Sequence, residues 1–289
     1  MPIVGAAILP HGFPVIPHLS EDAEGALKTR NAMEKAGEAL RKLHPEVVII
    51  ATPHGFRVQD HIALSYAARG AGTLFWQGKS LEMNIPLEGP FAARLAEAGK
   101  AKGLPLALVG FAGNRWDQSS LPLDWGVITP AWFLGHNRHL PGRGHVLAPV
   151  PEGPEGPPVL VVTPSRTLPW ETLIDFGRLL AREAAADPRP MVFVASCDWA
   201  HTHREDGPYG YHPKGPEVDG KVAKAVAEHR LEDLLDLSPR DLEEAAVDGF
   251  WQVLVLMGIL REVPMEGELL SYEAPSYYGM MVARYWPKT

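Results

Sequence analysis

The run Val47-Val48-Ile49-Ile50-Ala51 constrains this chain more than any other stretch. All five residues are apolar, most are β-branched, and nothing alternates. The run therefore reads as a short strand buried on both faces, of the kind found inside an α/β sheet. Pro53 cannot donate to a ladder and ends the strand. Gly55 lets the backbone turn, and His54 is left at the strand's carboxyl end, where open α/β sheets place their ligands. The tetrapeptide Pro53-His54-Gly55-Phe56 occurs once before, as Pro10-His11-Gly12-Phe13, again after an apolar run, Ile3 to Leu9. Two strands that each end by presenting a histidine point to one shared site.

Between those strands, Glu21 to Leu43 is rich in Ala, Leu, Glu, Lys and Arg and reads as a long helix, with Ser20 as its N-cap and Pro45 beyond its end. Strand, helix and strand with short joins make a parallel βαβ unit. Further along, His61–Ala67 reads as an edge strand, Phe91–Lys102 as a helix and Leu104–Gly110 as a third buried strand. Val127–Leu134 fits either a strand or a helix start. The Gly/Pro-dense stretch 140–158 reads as a long excursion. Val159–Val162 and Met191–Ala195 are further buried strands around a helix at Trp170–Ala186. Helical segments follow at Asp219–Glu228, Leu231–Leu237, Pro239–Ala246 and Phe250–Leu260, and a hairpin from Glu268–Tyr272 and Gly279–Tyr285 closes the chain. The expectation is a single α/β domain over residues 1–289, with a mixed, largely parallel central sheet flanked by helices and a C-terminal hairpin.

Composition narrows the function. A formal net charge of −8 without blocks of like charge argues against a nucleic-acid surface. No apolar run is long enough to span a bilayer, and no basic segment precedes a long apolar one at the N-terminus. The one cysteine, Cys197, leaves no disulfide framework and reads as a small buried apolar side chain. A cytoplasmic location is expected. Of the twelve histidines, His44, His136, His139, His145 and His229 lie in polar or Gly/Pro-rich settings and read as solvated, and His18 and His61 read as surface groups.

Three strand ends offer polar groups: His11, His54 and the Asp198/His201/His203 cluster. Parallel strands bring all three to one edge. Two imidazoles and one carboxylate, with other positions open, is the facial arrangement of non-haem Fe(II) enzymes that handle dioxygen. Zn(II) with a completing water accepts the same set. Asp198 also suits a structural role, bonding backbone N–H groups in its turn. A catechol chelates such a metal through both hydroxyls, and a nearby histidine can take a hydroxyl proton.

His11 and His54 in Pro-His-Gly after strands, the Ser196-Cys197-Asp198-Trp199-Ala200-His201 segment, and Asp248-Gly249 before an apolar helix together resemble the class III extradiol ring-cleavage dioxygenases, the family of the protocatechuate 4,5-dioxygenase catalytic subunit, which shares its fold with the Memo proteins. The resemblance runs over nearly the whole chain. It implies Fe(2+) as cofactor, an aromatic diol and dioxygen as substrates, and a homo-oligomer. It implies His11 and His54 as metal ligands and His201 as the acid/base residue. The family's third ligand is a glutamate, and the matching residue here is Asp248, which is one methylene shorter, so its backbone must approach the metal more closely. Glu273 is the reserve ligand, and Glu243 and Glu244 are weaker candidates. Trp125, in Asp124-Trp125-Gly126, stands where many relatives carry a pocket histidine; it cannot ligate or shuttle protons but can stack on a ring. His203 is a further pocket candidate, and Tyr277 could offer its hydroxyl to a substrate. Two other readings fit the scaffold: a Memo-like metal-binding or interaction protein without oxygenase activity, and a Zn(2+) enzyme.

Overall fold

The buried runs form the middle of one large sheet. The computed structural model of the chain describes residues 3–111, 115–144, 152–153 and 155–288. In chain order its elements are β1 (Ile3–Leu9), α1 (Leu27–Arg41), β2 (Val47–Ala51), β3 (Ile62–Ser65), β4 (Arg69–Trp76), β5 (Lys79–Pro86), α2 (Gly89–Ala101), β6 (Leu106–Val109), β7 (Ser120–Pro122), α3 (Trp125–Phe133), β8 (Val159–Pro164), α4 (Trp170–Ala185), β9 (Met191–Ser196), α5 (Lys214–Ala227), α6 (Pro239–Glu244), α7 (Phe250–Glu262), β10 (Met265–Glu273) and β11 (Met280–Pro287). Among the described residues the main sheet has the strand order β10-β11-β1-β9-β2-β8-β3-β6.

The four strands β1, β9, β2 and β8 are mutually parallel, with Leu9 opposite Ser196 and Ala51 opposite Ala195. β3 runs antiparallel to β8, and β10 and β11 form the closing antiparallel pair against β1. The mixed, largely parallel sheet and the C-terminal hairpin are therefore as the sequence indicates. All five residues of β2 are fully buried. Val47, Ile49 and Ala51 point into one core with α2, α4 and α7, while Val48 and Ile50 point into the other with α1 and α3. Burial of each such side chain stabilises by roughly 1.5–3 kcal/mol, which is why a non-alternating run is stable only between two covered faces.

Several segments differ from the sequence expectation. The first helix begins at Leu27, not Glu21: Ala23–Gly25 is a separate 3-10 turn, with Glu24 and Gly25 at φ 52° and 84°, which an α-helix cannot accommodate. Ser20 accordingly bonds Asp22 rather than capping that helix. β3 lies inside the sheet rather than at its edge, and β6 is the edge instead, with Leu108 exposed. Val127–Leu134 resolves as helix α3, capped by the Asp124 carboxylate accepting from Gly126 N–H at 3.0 Å. The segment Leu231–Asp236 is a 3-10 helix. The β4–β5 hairpin, which joins β7 in a second three-stranded sheet, has no counterpart in the expectation. Its turn, Gln77-Gly78, has φ 46° and 79°, the double positive φ of a tight hairpin. His136 is buried, and burial pushes its imidazole down to about 4, so it is a core residue and not a solvated one. His145 and the middle of the 140–158 stretch lie outside the described residues. Among the described residues no helix is long and apolar enough to cross a membrane.

Helices α4 and α7 cross at two glycines. A Cβ on Gly177 would strike the Val255 carbonyl, and one on Gly258 would strike the Ile174 carbonyl. Because α7 carries the Asp248-Gly249 turn at its start, this contact sets how far the turn reaches toward the sheet edge. Gly177→Ala is expected to destabilise the fold by about 1–3 kcal/mol, as overpacking does, read as a lower urea midpoint at unchanged m-value.

Candidate metal centre

The carboxyl ends of β1, β2 and β9 deliver His11, His54 and Asp198 to one edge of the sheet, and the turn before α7 brings Asp248 against them. His11 and His54 pack edge to face with ring centroids 4.9 Å apart. One ligand atom from each of His11, His54 and Asp248 lies within 4.8 Å of the others. The Asp248 Oδ2 atom is 3.4 Å from His11 Nε2 and 3.5 Å from His54 Nε2. A cation about 2.1 Å from each of two ligands separates them by about 3.0–3.4 Å at octahedral to tetrahedral angles, so these spacings suit a metal.

Hydrogen bonding fixes which atoms are offered. The Ser196 hydroxyl donates its proton to the Gly126 carbonyl at 2.7 Å and so accepts from His11 Nδ1 at 3.1 Å. His11 therefore carries its proton on Nδ1 and turns the Nε2 lone pair to the site. Asp248 Oδ1 is buried with no hydrogen-bond partner among the described residues, a costly state that a bound cation would relieve. Gly249 permits the close approach that a short aspartate requires: a Cβ there would meet Cys197 and the Asp198 carbonyl. Cys197 is buried and its Sγ donates to the Gly249 carbonyl, tying the same turn to the end of β9.

Burial and the mutual charges of the cluster act on its titration together. Burial works against an imidazolium at His11, but the carboxylates of Asp198 and Asp248 outweigh it and push His11 up to about 9. Burial likewise opposes the Asp248 carboxylate, yet His11 and His54 hold it well below the usual carboxylate range. Asp198 is raised, by burial first and then by the Asp248 charge. Its Oδ1 accepts from His11 N–H at 3.1 Å and its Oδ2 sits 3.3 Å from His11 Nε2. Asp198 thus holds the first Pro-His-Gly turn in place, the structural part read from its sequence setting.

His201 stands beside this cluster. Its Nδ1 faces two carbonyls, Trp199 at 2.8 Å and Ala246 at 3.0 Å, so Nδ1 carries the proton and Nε2 is the free atom. Its ring stacks on Tyr278 with centroids 5.6 Å apart. His54, His201 and Asp248 line one cavity of about 620 Å³, walled by Trp170, Trp251 and Leu242, a volume ordinary for a small-molecule site.

The other predicted residues are placed as follows. Trp125 packs on the His54 ring with centroids 4.7 Å apart, without lining the cavity. Tyr277 lies 5.9 Å from His201 between ring centroids and lines a neighbouring cavity of about 370 Å³. His203 is turned away: its Nε2 is 2.8 Å from Asp219 Oδ2, which also accepts from the Tyr272 hydroxyl. Glu273 is occupied elsewhere, its Oε1 accepting from Thr29 N–H and Oγ at the start of α1. Glu243 sits at the cavity rim and Glu244 pairs with Arg240. Sequence reasoning missed Arg57 and Arg166, which also line the cavity; their only signal is a position two or three residues beyond a buried strand or its histidine. It missed Ser196 as well, whose signal is a small hydroxyl at the end of β9 beside the first histidine's strand.

Ser196→Ala leaves His11 free to choose its tautomer and is expected to weaken metal binding about 10- to 100-fold, as loss of an outer partner does, with the fold intact by circular dichroism. Metal titration monitored by calorimetry measures it.

A family model described as the catalytic LigB subunit of aromatic ring-opening dioxygenase matches residues 5–283. Protein CA_C1420 of Clostridium acetobutylicum is 26% identical over 275 residues, covering 94% of this chain and 55% of that protein, so the chain spans about half the length of this curated relative. The crystal structure of protein JW3007 from Escherichia coli K12 superposes with a TM-score of 0.58 at 15% identity, covering 97% of this chain and 99% of that one. At that identity the likeness concerns the fold alone.

Proposed function

This chain belongs to the LigB family, whose model describes catalytic subunits of aromatic ring-opening dioxygenases, and on that premise we propose that it opens a catechol-type ring beside the diol with dioxygen, using one non-haem Fe(II) held by His11, His54 and Asp248. The observation that carries the reading is the convergence of two imidazoles and one buried carboxylate, one of whose oxygens has no partner among the described residues, beside the cavity that also presents His201. When bound, the metal supplies chelation of both diol oxygens and a path for electrons from the ring to dioxygen. His201 Nε2, freed by the two carbonyls on Nδ1, takes a diol proton and holds it for return to a reaction oxygen. Trp170, Trp251 and Leu242 exclude water around the ring and present flat apolar faces to it. Trp125 buttresses the His54 imidazole from outside the cavity, keeping it aimed at Asp248.

The test is oxygen uptake by anaerobically purified protein loaded with Fe(II), offered a panel of catechols. Uptake that tracks iron content supports the reading. No catechol-dependent uptake with any member of the panel, or activity that tracks Zn(II) instead, overturns it in favour of a hydrolytic or purely metal-binding role.

A further inference from the structure

The two edges of the main sheet are finished differently. β10 carries Glu266, Glu268 and Glu273, and an irregularity between Leu269 and Ser271 shifts its register. Such charges and bulges keep an edge strand from pairing with another chain. β6, at the opposite edge, pairs with β3 alone among the described residues, and Leu104–Phe111 contains no charged residue. Its ladder to β3 uses the odd positions: the Pro105 carbonyl accepts from Ile62 N–H at 2.8 Å and the Val109 carbonyl from Tyr66 N–H at 2.7 Å. Alternation then turns both backbone groups of Leu108 to the open side, with the Leu106 carbonyl and the Gly110 N–H on either side of them. Apolar side chains gather at the same place. Leu108 is 41% exposed, Phe111 50% and Trp116 47%, and Trp116 packs on the exposed Tyr66 ring at 4.8 Å between centroids. The three rings and Leu108 present roughly 300–400 Å² of apolar surface, taking a whole aromatic side chain at about 150–250 Å². A contiguous patch of that size marks an interaction surface.

We propose that β6 is the interface between two copies of this chain, paired antiparallel about a two-fold axis at Leu108. Each Leu108 N–H then donates to the partner's Leu108 carbonyl, and each Leu106 carbonyl accepts from the partner's Gly110 N–H. The two Leu108 side chains lie side by side and cover each other. Charge favours a second copy as the occupant. Two molecules of net charge −8 repel each other, and an uncharged edge is where they meet with least repulsion. Area favours it too: the apolar patch is about half of the ~800 Å² that each partner buries in a stable interface, and the paired backbone adds to it. A two-fold contact occupies both β6 edges at once, so assembly closes at the dimer. β6 is parallel to β3 and β3 antiparallel to β8, so Tyr66 and Gly110 lie at the end of the sheet away from His54. The pairing is therefore independent of the reaction.

Sedimentation equilibrium of the full chain at micromolar concentration is expected to give twice the mass of a single chain. Leu108→Lys opposes two like charges across the axis and should raise the dissociation constant about 100-fold or more, as loss of a central anchor from both copies does. Leu27→Lys, at an exposed leucine on α1, should leave it unchanged. Circular dichroism checks that each variant is folded. Leu108→Cys gives a second readout that does not rely on weakening the contact. Opposed residues of a hydrogen-bonded antiparallel pair hold their Cα atoms about 5.5 Å apart, within reach of a disulfide, and the native Cys197 is buried. Oxidised glutathione should therefore link this variant as a dimer through position 108. A chain that is monomeric at every concentration overturns the proposal. Protection of the Leu108 amide from hydrogen exchange would then show the edge covered by the chain itself, and free exchange would leave the edge to a different protein. A dimer that Leu108→Lys leaves intact, a failure to link through position 108, or assembly into larger species overturns it equally.

Discussion

Asp248→Ala protein is expected to bind iron at least about a hundredfold more weakly than the parent chain. Loss of an outer hydrogen-bond partner already costs about 10- to 100-fold in metal affinity, and Asp248 would be a direct ligand. The substitution is also clean. Among the described residues Asp248 Oδ1 has no hydrogen-bond partner and Oδ2 pairs with the two histidines, so no backbone hydrogen bond is lost with the carboxylate. Thermal or urea unfolding with and without metal reads the effect independently of turnover. A ligand at a hundred times its dissociation constant stabilises the folded state by about 2.7 kcal/mol. The parent chain should gain that much at such an iron concentration, and the variant should gain close to nothing. The rival ligand is Asp198, whose Oδ2 lies 3.3 Å from His11 Nε2. If Asp248→Ala keeps full iron content and the same gain in stability while Asp198→Asn loses both, the third ligand has been misassigned. Glu273 is not a rival, because its carboxylate is committed to the first turn of α1.

The two Pro-His-Gly turns were legible because they combine two strong local signals, a non-alternating buried run and a residue that cannot continue a ladder. Register then does the rest: parallel pairing of β1, β9 and β2 carries His11, His54 and Asp198 to one edge without further instruction. Asp248 was singled out only through family resemblance, since nothing in a lone Asp-Gly sets it apart from an ordinary helix start. Its geometry depends on Gly249 lying against Cys197 and Asp198, a contact between residues some fifty positions apart in the chain. His203 reads as a pocket candidate or a solvated group, yet its backbone N–H bonds the Tyr277 carbonyl and its ring is drawn to Asp219 on α5. Asp219 is fully buried and also accepts from Ala200 N–H at 3.0 Å, so it holds the turn that carries His201. Arg57 and Arg166 escaped because loop residues carry no periodicity. The β4–β5 hairpin escaped because Gly70 and Gly72 interrupt its alternation; both glycines are required where β4 packs under Leu123. What the chain's local pattern conveys is which strands are buried. What it leaves out is which loop side chains those strands aim at one another.

His201→Phe is expected to keep its iron and lose ring cleavage by about 10²- to 10⁴-fold in kcat, the usual worth of a positioned acid/base group. His201 is not among the three residues whose ligand atoms converge, so metal content should match the parent chain. Phenylalanine preserves the flat ring that stacks on Tyr278 and lies beside Tyr277 and Tyr209, so the packing around the cavity survives. It removes Nδ1, leaving the Trp199 and Ala246 carbonyls without that donor, and it removes Nε2, the atom with proton capacity. The two losses are separable. His201→Asn retains a donor for the carbonyls but titrates no proton; if it is as slow as His201→Phe, the missing function is proton transfer rather than support of the loop. The pH profile supplies the second readout, since a variant without a titrating group should lose the limb that depends on proton removal from the diol and respond to external bases such as imidazole. Undiminished turnover in either variant would remove His201 from the chemistry and return it to a purely packing role against the tyrosines.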